Sequence, residues 1–105
     1  MTRTEHLLTI LGEECNEVAQ RVSKALRFGL SEVYEDHPDG EKLNNFERIL
    51  QEYVQLQAVF NMLDADLPTQ FTVDPDLTDS WWAEKENKVE KFLEYSRKCG
   101  TLVDE

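Results

Sequence analysis

The residues best placed by type and spacing to do chemistry are the carboxylates of Glu13-Glu14-Cys15-Asn16-Glu17. On a helix of about 3.6 residues per turn, Glu13 and Glu17 stand one turn apart, and Gln20 and Lys24 continue the same side. Glu14 falls at the border of an apolar stripe formed by Leu7, Leu11, Cys15, Val18, Val22 and Ala25, which is the expected core face. Like charges at this spacing destabilise an isolated helix by roughly 0.2 to 0.5 kcal/mol per pair, so the acidic patch needs something to offset it. A hard divalent cation such as magnesium would do so, because it takes oxygen ligands and uses carboxylates together with substrate phosphates. The alternative is a solvated acidic face on an acidic protein.

A second acidic position lies on a second helix. Glu52 and Gln55 sit one turn apart on its narrow polar face, near Arg48 and Gln51. Packing this helix against the first would gather carboxylates around the space between them, as metal sites in helical bundles do. The competing expectation is an ion pair of Glu52 with Arg48 or Lys24, since a buried carboxylate without a partner is costly. Lys24 and Arg27, at the end of the first helix, suit both the negative pole of its dipole and a bound phosphate.

The elements that must carry these residues are helical. Periodicity predicts a first helix over 4–27, stopped by Gly29. A loop over 30–43 follows, with turn formers at Pro38-Asp39-Gly40. His37, like His6, has no partner placed by spacing and reads as an exposed residue rather than a catalytic base. Asn44-Asn45-Phe46-Glu47 is a capping signature that opens the second helix, which runs to about Leu63. Apolar residues nearly all round predict that this helix is central and buried. An irregular segment over 64–79 leads to a third helix starting at Ser80 and ending at Gly100. Trp81-Trp82, near its start, reads as an anchor for a core or subunit contact, with base stacking as the alternative.

The chain has 105 residues, the length of one domain, and so small a set of helices gains from pairing with another subunit. An all-α bundle of three main helices per chain, completed by oligomerisation, is expected. Lys and Arg number 11 against 22 Asp and Glu, a net charge of -11, which argues against a groove following a nucleic-acid backbone. It leaves room for a small polyphosphate, since a bound metal and a few local cations can invert the field within one site. No apolar run approaches the roughly 20 residues of a membrane span, and the opening residues lack the pattern of a signal segment, so a soluble, cytoplasmic protein is expected. The two cysteines have neither zinc-ligand spacing nor the look of a disulfide framework.

On these residues the chain resembles the MazG-like, all-α nucleoside triphosphate pyrophosphohydrolase superfamily, which includes the dimeric dUTPases. The family pattern is E-E-x-x-E on one helix and E-x-x-D on the next. Glu13-Glu14-Cys15-Asn16-Glu17 matches the first part, and Gln51-Glu52-Tyr53-Val54-Gln55 matches the second with Gln55 in place of the Asp. Asn87-Lys88-Val89-Glu90-Lys91-Phe92 is similar to the third-helix stretch, and the resemblance spans residues 7–97 of what would be one domain over 1–105. It implies that Glu14, Glu17, Glu52 and Gln55 hold magnesium, or manganese in its place, and that Glu13 and Glu17 serve catalysis. Lys24 and Arg27 would meet the triphosphate, and Asn87 and Lys88 would contribute to the substrate pocket. The implied reaction is attack of water on the α-phosphorus, releasing nucleoside monophosphate and pyrophosphate. The residues suit it, for the chain has no Gly-rich phosphate loop and no spacing that suggests a Ser/His/Asp or Cys/His nucleophile.

Gln55 divides the expectations. An amide oxygen can ligate a hard cation, but replacing a carboxylate removes one negative charge facing a double positive one. Either the remaining carboxylates suffice for turnover, or the chain keeps a nucleotide pocket without hydrolysis. A third reading makes it a helical assembly module whose acidic patch is only solvated.

Overall fold

The computed structural model describes residues 1–103, which contain three α-helices and no strand. They fall into two compact units, Met1–Leu67 and a second beginning at Pro68.

The first unit is a helical hairpin. Helix α1, Arg3–Phe28, is capped by the Thr2 side chain, which accepts from the Glu5 amide at 3.1 Å. Gly29 ends it with φ 96°, a conformation that disfavours residues bearing a Cβ, and its amide bonds the Ala25 carbonyl at 2.8 Å. Helix α2, Asn45–Asp66, starts with the expected capping box: the Glu47 amide donates to Asn44 Oδ1 at 2.8 Å and the Asn44 amide to Glu47 Oε1 at 3.0 Å. It ends before Pro68, whose ring disfavours helical backbone at Leu67. Arg3 pairs with Asp66 and Arg21 with Glu52, which makes the helices antiparallel.

The α1 face turned inward is Thr4, Leu7, Leu11, Glu14, Val18, Arg21 and Ala25, alternating steps of three and four as in a 3.5-residue seam. It extends the expected stripe by one turn to Thr4 and differs from it at two places. Glu14 replaces Cys15 and Arg21 replaces Val22, and both Cys15 and Val22 are exposed. Arg21 takes the seam because Glu52, its ion-pair partner, stands across it on α2, whereas Glu14 brings a second carboxylate up to Glu52.

Helix α2 buries Asn45, Arg48, Glu52 and Leu63, whereas Phe46, Leu50, Tyr53 and Phe60 are about half exposed. Within this unit the expectation of a helix buried all round is not met, because α1 alone offers α2 a single seam. Leu7, Ala25 and Leu63 are the buried apolar residues of the described chain.

The connection over 29–44 is pinned to α2. The Asn45 amide bonds the Glu32 carbonyl at 3.1 Å, the Phe46 amide bonds the Leu30 carbonyl at 3.1 Å, and Val33 forms an isolated antiparallel bridge with Asn44. In the second unit, a 3-10 turn at Thr69–Phe71 precedes α3, Pro75–Lys98. Helix α3 starts five residues before Ser80: Asp74 caps it, accepting from the Asp76 amide at 2.9 Å, and Pro75 takes the first helical position, where its missing N–H costs nothing. Trp81 and Trp82 on α3 are exposed. No helix among the described residues is long and apolar enough to cross a membrane.

Candidate metal centre and adjoining cleft

Helix α1 presents Glu14 and Glu17 one turn apart, and α2 brings Glu52 opposite them. One carboxylate oxygen from each lies within 4.8 Å of the other two. Glu17 is exposed, Glu14 half-buried, and Glu52 only 8% exposed. One oxygen of Glu14 and one of Glu52 are buried without a hydrogen-bond partner. Burial pushes the Glu52 pKa up, and the adjacent Glu17 carboxyl, by hydrogen bond and by charge, pushes it further. Arg21 pulls in the opposite direction and Glu14 adds to the rise. Arg21 offsets part of this charge, and the three carboxylates form an all-oxygen donor set whose chemistry suits a hard divalent ion.

Arg21 Nε stands 3.8 Å from Glu52 Oε1, so the counter-ion of Glu52 is Arg21 and neither Arg48 nor Lys24. An N–H of Arg21 donates to His37 Nε2 at 3.3 Å. On its other side the ring meets Asp39, with Nδ1 2.9 Å from Asp39 Oδ1 and 3.3 Å from the Asp39 amide nitrogen. Asp39 in turn takes both terminal nitrogens of Arg48, whose guanidinium also donates to the Glu41 carbonyl at 3.0 Å. Arg48 is 3% exposed, and its hydrogen bonds hold the Asp39 carboxyl far below the usual carboxylate range, while Asp39 raises the Arg48 pKa. A relay of polar contacts thus runs from Glu52 through Arg21, His37 and Asp39 to Arg48, fastening the loop to both helices. His37 is a half-buried member of that relay, contrary to the reading of it as an exposed turn residue.

Beside the carboxylates opens a cleft of about 570 Å³, a volume ordinary for small-molecule sites. Arg21, Lys24 and Phe28 line it from α1, Glu32, Tyr34, His37, Pro38 and Leu43 from the loop, and Asn45 and Arg48 from α2. Along α1 the sequence Glu14, Glu17, Arg21, Lys24, Phe28 forms one row at steps of three and four, passing from carboxylates through cations to an aromatic ring.

Of the residues singled out from the sequence, Glu14, Glu17 and Glu52 come together and Lys24 lines the cleft. Arg27 is exposed, its guanidinium 4.9 Å from the centre of the Phe28 ring. Glu13 is exposed on α1, and Gln55 is exposed one turn beyond Glu52. Asn87 and Lys88 are exposed on α3, in the second unit. Sequence reasoning missed Arg21, although it lies four residues after Glu17 and three before Lys24. It also missed Glu32 and Asn45, whose placement depends on the loop and carries no periodic signal.

No protein-family model matches the chain, and neither a curated protein nor a solved structure matches it.

Proposed function

We propose that the chain is a magnesium-dependent nucleoside triphosphate pyrophosphohydrolase of the MazG-like type. The observation that carries the reading is the convergence of Glu14, Glu17 and Glu52, two of them with buried unpartnered oxygens, beside a cleft lined by Arg21 and Lys24. Glu14, Glu17 and Glu52 would hold magnesium or manganese, with Gln55 one turn away as a weaker oxygen donor. Bound there, the cation supplies Lewis acidity toward water and phosphate oxygens and neutralises charge on the leaving group.

The remaining roles belong to side chains of this protein. Lys24, with Arg21 beside it, binds phosphate oxygens from the cleft, and Arg27 is assigned to the triphosphate on resemblance alone. Glu13 orients the attacking water and Glu17 accepts its proton. The water oxygen forms a bond to the α-phosphorus as the bond from that phosphorus to the α,β-bridging oxygen breaks, giving nucleoside monophosphate and pyrophosphate. Asn87 and Lys88 are assigned to the substrate on resemblance. The half-exposed Phe46, Leu50 and Phe60 of α2 support assembly into a dimer or tetramer. A cytoplasmic location accords with a nucleotide substrate.

Gln55 favours a second reading, a nucleotide-holding relative without turnover. Pyrophosphate release from a panel of nucleoside triphosphates, measured beside a calorimetric titration, separates the two. Turnover lost on adding chelator and in Glu17→Gln is the expected result. Binding without turnover moves the protein to the second reading, and silence in both assays leaves a helical assembly module.

A further inference from the structure

Glu32 is the one carboxylate in the cleft lining, and it lies at the end away from the acidic cluster. The side-chain amide of Asn45 places it: Nδ2 donates to Glu32 Oε2 at 2.8 Å and to the Gly29 carbonyl at 2.7 Å, just past the last residue of α1. Glu17 lies eleven residues before Phe28 on the same helix, roughly 16 Å along the axis at 1.5 Å per residue. The Glu32 carbonyl is bonded by the Asn45 amide at 3.1 Å, and the neighbouring Val33 is bridged to Asn44. Asn45 itself is buried. Glu32 is therefore fixed at both backbone and side chain.

Among the described residues Glu32 forms no ion pair, although cations line the same cleft. Both hydrogens of the Asn45 amide are engaged, one by Gly29 and one by Glu32 Oε2, which leaves Glu32 Oε1 as an acceptor for whatever enters. A fixed anion repels phosphate, so this end of the cleft, where Phe28 and Tyr34 also line the wall, takes the uncharged part of a nucleotide.

We infer that Glu32 is a specificity-determining residue that selects nucleotides whose base carries an exocyclic amino group, an inference that rests on the nucleotide reading above. Cytosine, adenine and guanine each present an amino donor to a carboxylate oxygen, whereas uracil and thymine present carbonyl oxygens in the corresponding place, which Glu32 repels. Sugar hydroxyls are the other source of donors for such a carboxylate.

The test is calorimetric titration of the full chain, with magnesium, using α,β-imido analogues of dCTP, dATP, dGTP, dUTP and CTP. At least one amino-bearing deoxynucleotide is expected to bind about tenfold or more tighter than the dUTP analogue, and Glu32→Gln, which can donate as well as accept, to compress that ratio to about threefold or less. Melting curves of Glu32→Gln establish that it is folded; should it not be, the wild-type ratio and Glu32→Ala carry the test. Equal affinity for all bases overturns the inference while leaving the proposed function standing. A preference for CTP over dCTP that Glu32→Gln abolishes, without base discrimination, overturns it in favour of the sugar. Absence of binding by every analogue overturns both.

Discussion

Arg21 Nε and Glu52 Oε1 face each other at 3.8 Å across the α1/α2 seam. This cation is the hinge of the site: it is counter-ion to a buried carboxylate on one side and hydrogen-bond donor to His37 on the other. It joins the acidic cluster to the cleft, and one of the two polar substitutions in the seam is explained by it.

Lys24 and Arg21 differ in what they hold. Lys24 has a phosphate as its only assigned partner, so Lys24→Ala should raise KM about tenfold, the worth of one charge-assisted hydrogen bond, with melting temperature nearly unchanged. Arg21→Ala should raise KM and also lower the melting temperature, since it leaves Glu52 without its counter-ion. Steady-state kinetics and thermal melts on both variants check this. Equal melting temperatures would contradict the role of Arg21.

Glu52 should report its burial through pH. Desolvation, with Glu17 and Glu14, holds its folded pKa above the ordinary 4.5 despite Arg21. The folded state then keeps a proton that the unfolded chain has released, so the Glu52 contribution is intact below pH 4.5 and lost as pH rises through the folded value. Without divalent cations, wild-type melting temperature should decline across that window relative to Glu52→Gln. Parallel curves would contradict it.

Asp39 should behave oppositely. Its hydrogen bonds to Arg48 keep its folded pKa well below the ordinary 3.8, so the pair contributes fully above that value and is lost as pH falls through the folded one. Asp39→Asn should therefore lower the melting temperature at neutral pH, with the deficit shrinking in strong acid. It should also weaken nucleotide binding, because the loop that lines the cleft is tied down through Asp39.

Asn44→Ala removes half of a capping box and should cost about 1 kcal/mol, or a fall of about 4 to 8 °C in melting temperature. Thermal unfolding of that variant measures it directly, and a shift within error would show that the bridge between Val33 and Asn44 fixes the start of α2 without the cap.

Local chemistry was legible in the sequence and tertiary choice was not. The Asn44 and Glu47 box and the Gly29 stop act within one turn of backbone, so residue types alone reveal them. Between Glu14 and Cys15, hydropathy favours the cysteine at the seam, yet Glu14 lies there, facing Glu52, and Cys15 is exposed. Pro75 falls in the segment expected to be irregular, since proline disrupts helix interiors, though at the first helical position it opens one. His37 depended on a loop path that no periodicity encodes. The carboxylate triad was found because its members are spaced on helices.

The most direct measurement is calorimetric titration of magnesium, without nucleotide, into the wild type and into Glu14→Gln and Glu52→Gln, with melting temperature followed in parallel. If Glu14, Glu17 and Glu52 form a cation site, the wild type binds saturably and gains about 2.7 kcal/mol at a hundred times Kd, and either substitution weakens binding at least tenfold. Equal, weak heats in all three proteins, with no change in melting temperature, would contradict the site.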